Sequence, residues 1–263
     1  MGFLYQNYIL LQKIYSKANL NQTKFMNIII TGASSGIGYA TAMKLAEKPD
    51  NYVVAIARNH EKLLQLQQAA KDKFGYDHIK PLACDLKPQN FSNLQDKITN
   101  LVKDLGEIHI LINNAGSLIN KPFAELDFED WQEMFESNLL SAVMMTKLII
   151  PYMGISQHGH ILNIGSMGGF QGSSKFNGLS AYSASKAALA NFTECLATEY
   201  VAKNVACNCL ALGAVQTEML EKAFPGYQAP VNSEEMAEYI AFFSHHGHKT
   251  QNGKVIPLAM TTP

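Results

Sequence analysis

Tyr182 and Lys186 stand four residues apart in the segment Tyr182-Ser183-Ala184-Ser185-Lys186. Residues at that spacing share one face of a helix, so a phenol and an ammonium would meet in one small volume. An unperturbed tyrosine titrates near about 10 and is a poor acid–base catalyst at neutral pH. A fixed cation favours the phenolate and lowers that value, which makes the pair a tuned proton donor or acceptor. The spacing alone also describes ordinary surface packing with a snorkelling lysine. The surrounding elements separate the two readings.

The pair follows a Gly/Ser-rich loop and opens an apolar helical run over 187–192. Far upstream, the β-branched run Asn27-Ile28-Ile29-Ile30-Thr31 reads as a buried parallel strand. It passes directly into Gly32-Ala33-Ser34-Ser35-Gly36-Ile37-Gly38 and a helical run over 39–48 that Pro49 stops. Strand, glycine turn and helix are the context a dinucleotide fingerprint requires. Gly32 permits the tight turn, Gly36 lets the backbone approach a pyrophosphate, and Gly38 lets helix and sheet pack closely. The helix N-terminus offers free N–H groups to the phosphates. Taken alone, an ordinary βα turn has the same look.

A second strand over 52–57 ends at Ala57, followed by Arg58. An acid at that strand end would bond the adenosine ribose 2′-hydroxyl. A guanidinium there can grip a 2′-phosphate through two parallel hydrogen bonds, so the sequence favours NADP(H) over NAD(H), with the Ser34 hydroxyl as a second contact. Arg58 as a solvated arginine at a helix start is the weaker reading. Asp85, beyond a third strand over 79–84, either accepts from the adenine amino group or caps the next turn. A fourth strand, 108–112, runs into Asn113-Asn114-Ala115-Gly116, which either leaves room for a flat adenosine or only forms a turn.

The span 128–152 reads as one long helix with Trp131, Met134, Phe135, Asn138, Leu139 and Ala142 along one face. Asn138 breaks that apolar stripe: it is either a satisfied structural amide or a water-holding one. A fifth strand, 160–164, carries Gly165-Ser166 at its carboxyl end, and a sixth, 205–210, leads to a loop with Gly213, Val215 and Thr217. The stretch 218–230 reads as irregular. Ser233 caps a helix over 234–244, and 254–258 is a last strand.

The alternation of strand and helix predicts an α/β fold: a Rossmann-type doubly wound parallel sheet of about seven strands, helices on both faces, in a single domain over 26–263. Ligands in such sheets bind beyond the carboxyl ends of the strands. Gly32, Arg58, Asp85, Asn113, Ser166 and Thr217 all fall at such ends. The 263 residues carry 47% hydrophobic residues and a net charge of −1, which suits a folded enzyme and gives no basic surface for nucleic acid or membrane. Cys84, Cys195, Cys207 and Cys209 form no CxxC pair, as expected of thiols in a reducing, cytoplasmic compartment. Residues 1–25, with three lysines and no acid, read as an N-terminal extension, either a loose amphipathic arm or the product of a start site placed upstream of the fold.

Set side by side, these residues resemble the short-chain dehydrogenase/reductase family of the shorter, classical type, from 27 to 258. Thr31-Gly32 through Gly38 is similar to its TGxxxGxG cofactor loop, Asn113–Gly116 to its NNAG element, and Leu212-Gly213 through Thr217 to its PG-x-V-x-T segment. Asn138, Ser166, Tyr182 and Lys186 fall on its catalytic tetrad. The resemblance implies that Tyr182 exchanges a proton with a carbonyl oxygen, that Lys186 tunes it and bonds the nicotinamide ribose, that Ser166 holds the oxygen, and that Asn138 positions a relay water. It implies cofactor contacts from Gly32, Ser34, Gly36, Ile37, Gly38, Arg58, Asp85, Asn113, Tyr182, Lys186, Val215 and Thr217, and no metal. It further implies a homodimer or homotetramer acting on a small carbonyl or alcohol substrate.

Three departures bear on substrate. Leu212 stands where the family has proline, Gly165 where it has a first serine, and Ser173-Ser174-Lys175-Phe176-Asn177 looks like an insertion beside the pocket. A fairly open pocket lined by Met219, Phe224 and Tyr227 is expected. The expected activity is NADPH-dependent reduction of an aldehyde or ketone. The rival readings are an NADP(H) sensor without catalysis and an epimerase.

Overall fold

Among the described residues nine strands follow one another: β1 (Met26–Thr31), β2 (Asn51–Ala57), β3 (Ile79–Ala83), β4 (Ile110–Asn113), β5 (Gly159–Ser166), β6 (Val205–Leu212), β7 (Val215–Gln216), β8 (Val231–Asn232) and β9 (Val255–Leu258). The computed structural model describes residues 25–260; apart from Phe25, the extension lies outside the described residues. Seven strands form one parallel sheet in the order β3-β2-β1-β4-β5-β6-β9. β7 and β8 pair separately, also parallel. Strand order reverses between β1 and β4, and the crevice at such a switch point is where this architecture takes a ligand.

Successive strand residues point to opposite faces, and both faces here are covered. Ile28, Ile30, Val53 and Ala55 pack on one side with Leu45, Leu63 and Ile240. These come from α1 (Gly36–Ala46), α2 (His60–Phe74) and, last in the chain, the helix Ser233–His246. Ile29, Val54 and Ile56 pack on the other with Leu94, Ile98, Met145, Ile149 and Leu196. Burial on both faces explains why the strands read as continuous apolar runs rather than as alternation.

The second face is supplied by α3 (Phe91–Leu105), α4 (Phe128–Phe135), α5 (Ser141–Ile149) and α6 (Ser180–Tyr200). The helical span expected over 128–152 is continuous, but it is not α-helical throughout. A π-turn over Glu136–Leu140 separates α4 from α5, with the Ser141 N–H bonding Glu136 O. Two serine hydroxyls bond back one turn there: Ser137 Oγ to Glu133 O at 2.7 Å and Ser141 Oγ to Ser137 O at 2.6 Å. Side-chain bonding of this kind competes with the regular ladder.

The stretch expected to be irregular contains α7 (Glu218–Ala223), whose N-cap is Thr217. The last helix, α8 (Ser233–His246), is capped by Asn232 rather than Ser233. Asn232 and Glu235 form a capping box, side chain to backbone in both directions, at 2.9 and 2.8 Å. The Ser233 hydroxyl goes instead to Gln216 O at 3.2 Å.

Candidate active site

The glycine turn after β1 holds its shape through the loop after β4. Gly32 and Gly36 take positive φ, 70° and 53°, which favours glycine. A Cβ on Gly38 would lie 2.2 Å from Gly32 O and 2.4 Å from Asn114 Nδ2, so helix and turn touch backbone to backbone. Asn114 Nδ2 donates to Thr31 O at 3.0 Å and Gly32 O at 3.3 Å. Thr31 Oγ1 in turn accepts from the N–H groups of Asn114 and Ala115. Asn114 is thus the residue that locks the turn.

Asn113 itself faces the core. It is 3% exposed, and its Nδ2 donates to Thr146 Oγ1 at 3.2 Å and Asn163 Oδ1 at 2.8 Å. Asn163 passes the chain on to Thr193 Oγ1 at 2.8 Å. These buried amides tie β4, β5 and α6 together. Asp85 also has local partners: it accepts from Lys87 N at 3.2 Å and from Asn90 Nδ2 at 3.1 Å, the turn-capping reading.

The cradle fits a dinucleotide phosphate. Ser35, the N-cap of α1, makes no side-chain cap bond, and the first turn holds no acid, so the free N–H groups there face no competing anion. Thr217 closes the far wall: its Cγ2 would lie 3.4 Å from a Cβ on Gly36, and its Oγ1 accepts from Leu220 N. Ile37 is half-buried against the core and Val215 is buried. Ala57 ends β2 with no acid, and Arg58 beside it is exposed, with no ion pair or hydrogen bond among the described residues. That leaves its guanidinium available to a 2′-phosphate. Ser34 sits half-buried in the same turn.

Ser166, Tyr182 and Lys186 converge at the carboxyl end of β5. A Cβ on Gly168 would lie 2.9 Å from Ser183 Oγ, 3.4 Å from Ser166 Oγ and 3.8 Å from Tyr182 Cε1. Lys186 is buried, and its Nζ donates to Ile164 O at 2.8 Å. Burial pushes the ammonium down to about 8, with the nearby Cys209 thiol opposing. Burial raises the Tyr182 phenol above its usual value, with Ser166 pulling the other way. The Tyr-Lys spacing predicts a lowered phenol, whereas burial shifts Tyr182 upward. Enclosure penalises the phenolate, and Lys186 is bonded to the β5 backbone.

Asn138 is 1% exposed, and both ends of its amide are hydrogen-bonded. Its Oδ1 accepts from Ser117 N at 3.0 Å, and its Nδ2 donates to Ser117 O and Ser185 Oγ, each at 3.0 Å. Ser185 Oγ donates to Tyr182 O at 2.7 Å. The side chain thus connects the loop after β4 to the helix carrying Tyr182 and Lys186. A Cβ on Gly116 would lie 2.5 Å from Asn138 Oδ1 and 3.5 Å from Lys186 Nζ, which shows how closely that loop approaches.

A cavity of about 600 Å³ adjoins the site. Pro122, Phe123, Phe176, Leu179 and Ser183 line it, and not the expected Met219, Phe224 and Tyr227. Lys175, Phe176 and Asn177 supply one wall. Asn120 joins the two flanks: its Nδ2 donates to Ala223 O at 2.8 Å, at the end of α7, while Lys121 N donates to Gly178 O at 2.9 Å.

Comparison with known proteins accords with this geometry. The family described as short chain dehydrogenase matches residues 26–228. The chain is 30% identical over 226 residues to an NADP-dependent 3-hydroxy acid dehydrogenase of Schizosaccharomyces pombe, covering 82% of this chain and 85% of that one. It is 34% identical over 191 residues to a 3-oxoacyl-[acyl-carrier-protein] reductase of Bos taurus, covering 72% and 76%. L-sorbose reductase from Gluconobacter frateurii, complexed with NADPH and L-sorbose, superposes with a TM-score of 0.78 at 26% identity, covering 91% and 97%. A seven-stranded parallel sheet, a glycine cradle and a Ser-Tyr-Lys cluster thus occur in a chain that belongs to the short chain dehydrogenase family of oxidoreductases.

Proposed function

We propose that the protein reduces an aldehyde or ketone to an alcohol with NADPH, reversibly, and that Tyr182 is the general acid. The convergence of Ser166 Oγ, the Tyr182 ring and buried Lys186 at the end of β5 carries this reading. When bound, the nicotinamide would supply the hydride to the carbonyl carbon. Tyr182 gives its proton to the carbonyl oxygen as that oxygen takes the C=O electron pair. Ser166 holds the same oxygen by a hydrogen bond, and Lys186 contributes positive charge from below. Asn138 positions the Tyr182 helix through Ser185 and ties it to the loop after β4 through Ser117. Burial keeps the phenol protonated at neutral pH but also makes it a weaker acid, and the positive charge of Lys186 would offset that shift.

Exposed Arg58, the absence of an acid at the end of β2, and NADP-dependent relatives support NADPH over NADH. The relatives act by name on a hydroxy acid, an oxoacyl group and a sugar, so they support the reaction class rather than one substrate. Four unpaired thiols support a cytoplasmic setting. Among the described residues no helix is long and apolar enough to cross a membrane. Exposed Phe128 and Leu140 on the α4–π-turn segment support a self-association face, to be tested by light scattering; a monomer refutes it.

The deciding experiment is NADPH consumption over a panel of aldehydes, ketones, diketones and quinones, with Tyr182→Phe as control. Turnover that collapses in the variant, with NADPH affinity kept, is the expected result. Equal turnover in the variant overturns the role of Tyr182. Tight NADPH binding without turnover by either protein overturns the reductase reading in favour of a cofactor sensor.

A further inference from the structure

The cavity beside the site has a chemical character of its own. Its volume of about 600 Å³ is that of a small-molecule pocket. Pro122, Phe123, Phe176 and Leu179 make it apolar, and Lys175 is the only charged residue lining it. Phe123 is 72% exposed and Phe176 46%, aromatic surface that a ligand would withdraw from water. The wall bearing Phe176 is internally tied. Ser173 Oγ donates to Phe170 O at 2.9 Å, and Lys175 Nζ to Phe170 O and Ser173 Oγ at 2.7 and 2.8 Å. An ammonium has three donors, so one N–H of Lys175 remains for a ligand.

The Ser183 wall of the cavity lies beside the Ser-Tyr-Lys cluster. Ser183, one of its lining residues, follows Tyr182 in the chain. Its hydroxyl, Ser166 Oγ and the Tyr182 ring surround the one point that a Cβ on Gly168 would take. A carbonyl held by Ser166 and Tyr182 would have the rest of its molecule next to this volume.

We propose that the cavity holds the non-reacting body of the substrate, and that the substrate is a carbonyl compound with an apolar chain or ring ending in an anionic group that faces Lys175. This rests on the carbonyl-reductase reading and specifies its substrate class. Phe123 and Phe176 take the apolar body, and Lys175 selects for the anion. Free carboxylates, sulfonates and phosphate esters share the chemistry that Lys175 would recognise.

Calorimetric titration of the full chain with decanoate and with decanol tests the cavity without needing turnover. The expected result is one decanoate site per chain, at least tenfold tighter than decanol. Phe176→Ser should weaken both by about tenfold. Lys175→Glu should abolish the preference for decanoate while leaving NADPH affinity, the check on folding, unchanged. Equal binding of decanoate and decanol, no binding of either, or a preference that survives Lys175→Glu overturns the inference. The two failures are distinguishable. Tyr182-dependent turnover of short ketones without decanoate binding removes this inference alone. Lys175-dependent decanoate binding in a protein that reduces no carbonyl removes the reductase reading, and with it the claim that the ligand is a substrate.

Discussion

Lys186 Nζ donates to the carbonyl oxygen of Ile164 at 2.8 Å, so a buried cation is anchored to the strand that carries Ser166. Burial holds its pKa at about 8 against a usual 10.5. The unfolded chain therefore binds the extra proton between those values. Stability of the cofactor-free protein should rise as pH goes from about 8 to about 10.5, and below 8 the burial cost, about 3 kcal/mol, is fully present. Lys186→Met removes that cost and leaves Ile164 O without its donor, a loss of about 1–3 kcal/mol. We expect the variant to melt at the same temperature or a few degrees higher at pH 7, with a flatter pH profile and turnover reduced by about a hundredfold or more. A melting temperature well below wild type, measured by calorimetry, contradicts this.

His160 should make the fold acid-sensitive. Its Nδ1 faces Ser244 O at 2.8 Å and its Nε2 faces Asn208 Nδ2 at 3.1 Å. A carbonyl accepts and an amide NH2 donates, so these partners fit the neutral ring protonated on Nδ1. Burial lowers its pKa to about 4. Stability is fully present above about 6.5 and is lost as pH falls towards 4, by about 3 kcal/mol. His109, His245 and His248 are also lowered by burial and act in the same direction. Urea midpoints at pH 7.5 and 4.5 measure the loss, and His160→Gln should shrink it; an unchanged difference in that variant excludes His160 as the main contributor.

Asn138 and Ser185 should be energetically coupled. Truncating either breaks the 3.0 Å bond between them, and Asn138→Ala also abandons both Ser117 bonds. We expect Asn138→Ala to destabilise by about 2–4 kcal/mol and to cut kcat more than it raises KM. The double variant should fall short of the sum by at least about 0.5 kcal/mol. Strict additivity in denaturant melts leaves the bond without energetic weight.

Two glycine substitutions should differ sharply. A Cβ on Gly38 meets Gly32 O at 2.2 Å, whereas one on Gly75 meets nothing within 4 Å and suffers only from its φ of 81°. Gly38→Ala should abolish NADPH binding or folding. Gly75→Ala should cost about 1–2 kcal/mol and leave NADPH affinity intact. Fluorescence titration with NADPH separates them, and normal affinity in Gly38→Ala refutes the cradle.

Arg58→Asp should weaken NADPH binding at least tenfold and NADH binding far less, since Arg58 is exposed and unpaired among the described residues at the end of β2. Parallel losses for the two cofactors argue that Arg58 contacts something other than the 2′-phosphate.

The parallel sheet and the glycine turn were legible because β1 and β2 are buried on both faces, and unbroken apolar runs announce that. The meeting of Ser166, Tyr182 and Lys186 was legible because Ser166 ends β5, Tyr182 lies in the first turn of α6, and Lys186 follows one turn later on the same face. Other features were hidden by degeneracy. Asn113 and Asn114 are chemically identical, and only the end of β4 decides that one enters the core and the other holds the turn. Thr217 could cap or contact cofactor, and its use as the cap of α7 follows from a short helix too brief to show periodicity. Asn232 and Ser233 are both good caps, and the choice lies in Glu235 reaching back to Asn232. The pKa of Tyr182 depends on enclosure, which residue spacing does not carry.

The π-turn at Glu136–Leu140 acts as a phase shifter. An α-helix advances by about 100° per residue, and the inserted residue compensates for that angle between α4 and α5. Deleting one residue there would restore an unbroken helix on paper. It would also rotate one half relative to the other, so that either Met134 and Asn138 or Met145 and Ile149 would turn away from the interior. The same insertion that presents Asn138 to Ser117 and Ser185 therefore lets one continuous rod serve two surfaces set at different azimuths.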